Sequence, residues 1–150
     1  MFRGRSDHVL DAKGRLSIPA RFRDVLKANY DSKLIVTNLP SCLAAYPFEE
    51  WRLIEEQFAR YSFGPPDIIA FKRYFLGAAV ECPVDAQGRI LIPAGLRKEA
   101  GLDREVVLTG MLNFFEIWSK ERLDQELAAT RENFDKFSSD IFAKLGTGDL

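Results

Sequence analysis

Histidine and cysteine are nearly absent from this chain, which has His8 alone and two cysteines, Cys42 and Cys82. That set is too small for a disulfide framework or a usual zinc site. No glycine-rich phosphate loop occurs, and no Ser/His/Asp or Cys/His pairing is suggested. No catalytic residue, metal ligand, cofactor or small-molecule substrate is therefore expected. No apolar run approaches the roughly 20 residues that span a bilayer. The opening Met1–His8 is charged and has no apolar signal region. A soluble cytoplasmic protein without a membrane partner is the expectation. Excess charge is missing too: the formal net charge is −1. That average hides a gradient, because residues 1–27 hold seven basic and three acidic groups, whereas residues 119–150 hold five and seven. A basic face on an acidic body can still meet a polyanion, since local potential steers association.

What is present suffices for a core: 47% of the 150 residues are hydrophobic, with 12 Phe and 2 Trp. The length suits one domain or two very small ones. The most specific feature is a repeat. Asp11-Ala-Lys-Gly-Arg15 and Asp85-Ala-Gln-Gly-Arg89 are each followed by a short apolar run and Ile-Pro-Ala. Laying residues 8–23 over 82–97 at a constant offset of 74 makes eight of 16 positions identical. One supersecondary unit is used twice.

In the first copy Leu16 and Ile18 alternate with Arg15 and Ser17, the period of a half-buried strand. Gly14 and Gly88 supply a positive φ within the turns, and Asp11 and Asp85 can accept hydrogen bonds from backbone N–H groups a residue or two onward. Both units read as hairpins with a basic tip. Leu91 stands where the first copy has Ser17, so that outer face is expected to be covered. Pro19 and Pro93 end the strand and can open a short helix, the second stopped by Gly101. Strand pairs follow at 34–37 with 43–46 and at 106–109 with 114–118. A longer helix then carries Phe48, Trp51, Ile54 and Phe58. A second, from an N-cap at Ser119, is expected to run as one stripe through Leu123, Leu127, Phe134, Phe137 and Ile141. Residues 61–66 read as a linker, Asp67 as the cap of an apolar helix, and residues 146–150 as a frayed end. An isolated two-stranded ribbon is marginal in water, so the two copies should interlock as a pseudo-dimer whose twofold puts both tips on one side. The expected divisions are repeat 1 at 7–54, a linker and helix at 55–81, repeat 2 at 82–126, and a C-terminal helix and tail at 127–150.

The duplicated Asp-x-x-x-Arg segments, each running into Ile-Pro-Ala, resemble the MraZ family of bacterial transcriptional regulators over about residues 1–143. The resemblance implies an α+β fold with a mainly β core: a swapped-hairpin barrel of two AbrB-like (SpoVT-AbrB) half-domains, flanked by helices and a C-terminal amphipathic helix. It also implies sequence-specific binding of double-stranded DNA, association with the nucleoid, and a ring-shaped homo-oligomer. Action at its own operon promoter, upstream of cell-division and cell-wall genes, is implied as well, with repression expected. The motif residues map onto Asp11, Arg15, Asp85 and Arg89.

The chemistry of these residues fits that role. An Arg on a rigid strand beside a tight turn can bond guanine O6 and N7 together, which suits Arg15 and Arg89. Lys13 suits phosphate, and Gln87 adenine or phosphate. Arg3, Arg5, Arg21, Arg23, Arg97 and Lys98 are candidates for backbone contacts, although Arg21 and Arg23 also read as solvated helix residues. Asp11, Asp85, Gly14 and Gly88 set the turns and orient the arginines. Against this stands the reading of Asp11–Arg15 and Asp85–Arg89 as structural ion pairs, and the two can coexist. His8 reads as a surface residue near the turn. The alternative function is a non-catalytic antitoxin-like or scaffold protein that uses the same hairpins to bind protein.

Overall fold

The computed structural model describes residues 1–146. Its elements run β1 (Arg5–Val9), β2 (Arg15–Ser17), α1 (Ala20–Asn29), β3 (Lys33–Asn38), β4 (Leu43–Pro47), α2 (Phe48–Phe58), α3 (Pro66–Phe71) with a π-helical turn (Lys72–Leu76), β5 (Val80–Pro83), β6 (Arg89–Leu91), α4 (Ala94–Glu99), β7 (Glu105–Gly110), β8 (Phe115–Ser119), α5 (Lys120–Glu132) and α6 (Phe134–Leu145). The expected unit thus occurs twice, in an α+β fold. Residues 1–119 make one compact unit and the helices from Lys120 onward a second.

Within the first unit, the arms of each turn do not pair with each other. β1 runs antiparallel to β7, with Arg5 opposite Thr109 and Val9 opposite Glu105. β5 takes the matching place against β3. β2 pairs instead with β6, Leu16 facing Ile90. The six-stranded sheet has the order β1-β7-β8-β4-β3-β5. Exchanging the repeats reverses that order and reproduces it, so the fold has a pseudo-twofold axis passing between β4 and β8 and through the β2–β6 ribbon. The expected interlocking takes this form: the turns are local, and the pairing of their arms is exchanged between repeats. Apolar alternation fixes which side of a strand is buried and says nothing of which strand lies beside it.

The exchange buries one continuous core. Leu16, Ile18, Ile90 and Ile92 of the ribbon are buried with Leu34, Val36, Leu108 and Ile117 of the sheet. Phe2, Phe22 and Phe115 meet there with ring centroids 5.1 to 5.3 Å apart. A second cluster joins Ile35, Ala44, Tyr46, Trp51 and Phe75, with Phe114 stacked on Tyr46 at 4.5 Å. Burial pushes the Cys82 thiol up to about 11, which keeps it protonated and inert at neutral pH. His8 is half-buried and lies 2.7 Å from the Ser6 hydroxyl.

Three expectations about helices and strand faces change. Asp67 does not occupy the cap: α3 begins at Pro66, and the Asp67 carboxylate accepts only from the next N–H, that of Ile68. The single C-terminal stripe is broken at Asn133 into α5 and α6. In α6, Phe134, Phe137 and Ile141 stay 45 to 50% exposed. Leu91 is not covered; it is 57% exposed on the outer face of the ribbon. The α6 helix closes at Gly146, and the rest of the expected frayed end lies outside the described residues. No described helix is long and apolar enough to cross a membrane.

Candidate nucleic-acid interface

Each Asp-x-x-x-Arg turn is closed by its own aspartate. Asp11 Oδ1 accepts from the backbone N–H groups of Lys13 at 3.0 Å and Arg15 at 2.8 Å. Asp11 Oδ2 accepts from Arg15 Nε at 2.6 Å. The second turn repeats this with Asp85: Gln87 and Arg89 N–H donate at 2.9 Å each, and Arg89 Nε at 3.3 Å. Gly14 and Gly88 have φ of +89° and +76°, a region that costs an ordinary L-residue about 1–2 kcal/mol. These bonds hold the aspartates ionised. Asp11 is lowered to about 2, first by the Arg15 backbone N–H and then by its guanidinium; Asp85 is lowered in the same way, first by the Arg89 N–H. The aspartates therefore act as fixed turn anions that orient the arginines.

The β2–β6 ribbon carries both arginines on one side. Arg15 lies opposite Leu91, and Ser17 opposite Arg89. Leu16 and Ile90 point inward and are buried, so these four side chains share the outer face. Arg15 and Arg89 keep 36% and 29% of their side-chain surface exposed. Beyond the strands the pairing continues: Ile18 N–H donates to Gly88 O at 2.8 Å and Ile92 N–H to Gly14 O at 2.9 Å. Each tip is thus stitched to the opposite repeat, at opposite ends of the ribbon. Four residue steps separate Gly14 from Ile18, so the tips stand about 13 Å apart along the ribbon.

The remaining candidates divide. Lys13 and Gln87 are exposed at the two tips, and Gln87 Oε1 also accepts from Arg89 Nη2, a contact that Lys13 cannot offer Arg15. Arg23 and Arg97 are drawn into the scaffold. A Cβ at Gly14 would stand 2.7 Å from Arg97 Nε, and one at Gly88 2.8 Å from Arg23 Cδ. Arg97 Nε donates to Ile92 O at 3.0 Å, whereas Arg23 Nε is buried without a partner among the described residues. Arg21 donates to the carbonyls of Arg5 at 2.9 Å and Arg3 at 3.3 Å. That group sits at the far end of β1, about 13 Å along the strand from Val9, and is not brought to the tips. Lys98 is exposed on α4. The cross-repeat bracing by Arg23 and Arg97 is not evident from sequence. The identity of these arginines at the constant offset of 74 is the only trace of it.

Two half-domains that exchange strands and display a pair of arginines on a shared ribbon define a class: α+β proteins built as a pseudo-twofold from two repeats. The family model described as "MraZ protein, putative antitoxin-like" matches residues 1–74 and again residues 75–144. The Transcriptional regulator MraZ of Syntrophobacter fumaroxidans is 48% identical over 135 residues, covering 90% of each chain. Its namesake in Desulforapulum autotrophicum is 47% identical over 136 residues, covering 91% of this chain and 92% of the relative. That of Pediococcus pentosaceus is 43% identical over 141 residues, covering 94% and 96%. The chain belongs to the MraZ family of transcriptional regulators.

Proposed function

We propose that the β2–β6 ribbon enters the major groove of double-stranded DNA, and that Arg15 and Arg89 each take a guanine edge there. The observation that carries this reading is the common outer face of Arg15 and Arg89, with Leu16 and Ile90 anchoring its back. A major groove about 12 Å wide admits a two-stranded ribbon. Tips about 13 Å apart would then set Lys13 and Gln87 near the phosphates at either wall. Residues 7–54 and 82–126 each supply one arginine and one tip. Since Lys13 and Gln87 differ, the two halves make unequal contacts.

One chain offers few phosphate contacts, so a single unit binds weakly. The protein acts as a ring-shaped homo-oligomer on repeated short boxes, where effective concentration raises avidity. Exposed apolar residues such as Phe63, Phe71 and Leu53 support a subunit contact. In this reading the protein is nucleoid-associated and represses its own promoter, upstream of cell-division and cell-wall genes.

The test is a gel-shift titration with DNA from upstream of its own gene beside a scrambled control, using wild type and the Arg15→Ala/Arg89→Ala double variant. Selective binding by wild type alone, with the variant still folded, is expected. Equal binding by both proteins, or a collapse of the variant's thermal stability, returns the arginines to a structural role. Sedimentation showing only monomer while tight binding persists removes the ring.

A further inference from the structure

The middle of the ribbon's outer face is asymmetric. At pseudo-equivalent positions it carries Ser17 and Leu91, and Leu91 is 57% exposed. Leu91 is the cross-strand partner of Arg15. The same two side chains, with Arg89, line an open depression of about 440 Å³ whose other walls include Val80, Pro83 and Pro93 and the carboxylates of Glu81 and Asp85, the latter paired with Arg89. A large apolar side chain held in water between two cations serves no folding purpose here, since Leu16 and Ile90 already fill the core side of the ribbon. An occupant must tolerate guanidinium groups on both sides and offer a small apolar group between them. Among the four bases seen from the major groove, thymine presents such a group, its 5-methyl.

We infer that Leu91 is a specificity-determining residue that packs on a thymine methyl next to the base taken by Arg15. Ser17, its counterpart, meets a polar base edge beside Arg89. The inference rests on the groove-insertion reading above and adds that the two halves of one unit prefer different bases. Cross-strand partners have Cβ atoms about 5 Å apart, so Leu91 addresses the base step adjoining the one Arg15 reads.

The upstream fragment is amplified once with dTTP and once with dUTP, which replaces each thymine methyl by hydrogen, and a scrambled fragment is included. Wild type is expected to bind the uracil form about four-fold more weakly per engaged unit, the factor for burying one methylene-sized group. Leu91→Ser should bind both forms alike, close to wild type on uracil DNA, with unchanged thermal stability. Equal wild-type affinity for the two forms overturns the role of Leu91 while leaving groove insertion standing. So does a thymine preference that persists in Leu91→Ser. Altered sedimentation of Leu91→Ser assigns the residue to a subunit contact and overturns the inference as well. Failure of wild type to prefer the native over the scrambled fragment removes the groove reading and this inference together.

Discussion

The guanidinium of Arg97, from the second repeat, lies over Gly14, in the turn of the first, leaving no room for a Cβ at that glycine. Its counterpart Arg23 lies over Gly88. Each arginine packs a helix against the opposite tip, and Arg97 fastens itself to the Ile92 carbonyl. The two turns are therefore set by each other's repeat.

Gly14→Ala and Gly88→Ala should each cost about 2 kcal/mol, because a positive φ and a blocked Cβ act together. Thermal unfolding measures this. A loss of only about 1 kcal/mol, the φ penalty by itself, would mean that the arginines swing away freely.

The pH response of the first turn is signed by Asp11. Its pKa is lowered to about 2, below the usual carboxylate range. The turn's contribution is complete above that range and lost as pH falls toward 2. A carboxyl-carbon NMR titration should place the midpoint near 2. In Arg15→Ala the midpoint should return only part of the way, since the first cause is the Arg15 backbone N–H, which alanine keeps. Full return would make the guanidinium the dominant partner.

The tips differ by Lys13 against Gln87, so salt dependence should separate them. Lys13→Ala should weaken binding to all DNA sequences alike and reduce the slope of log K against log salt by about one per engaged unit. Gln87→Lys should raise it by a similar amount. Unequal losses across sequences in Lys13→Ala would show that Lys13 reads bases.

Thr37 provides a control far from the ribbon face. It is fully buried, and its hydroxyl donates to the Phe75 carbonyl in the π-helical turn. Thr37→Val should lower stability by about 1–2 kcal/mol through the unsatisfied carbonyl and leave DNA affinity per folded molecule unchanged, as judged by combined melting and gel-shift data.

The motif residues were legible because their chemistry is local. An aspartate four residues before an arginine, with glycine between, closes the same turn in any context, and it does so twice here. The partner of each strand was not legible in the alternation, since Leu16 and Ile90 report burial and not neighbours; the interlocking followed only from the weakness of an isolated ribbon and from the family resemblance. Leu91 departs from its expected cover because apolar character marks a side chain that gains from burial and does not supply the neighbour that buries it. Arg23 resembled a solvent-facing helix residue until the tertiary fold set Gly88 beside it. The break at Asn133 interrupts a pattern whose apolar spacing runs on across it, so periodicity alone could not reveal it.

Exchanged pairing also governs when this protein comes into being during translation. Arg5 waits for Thr109, and Phe2 for Phe115, so the first repeat leaves the ribosome with its aromatic anchor unhoused. No half-made product can close its sheet; the fold completes abruptly, once the last strand clears the exit tunnel.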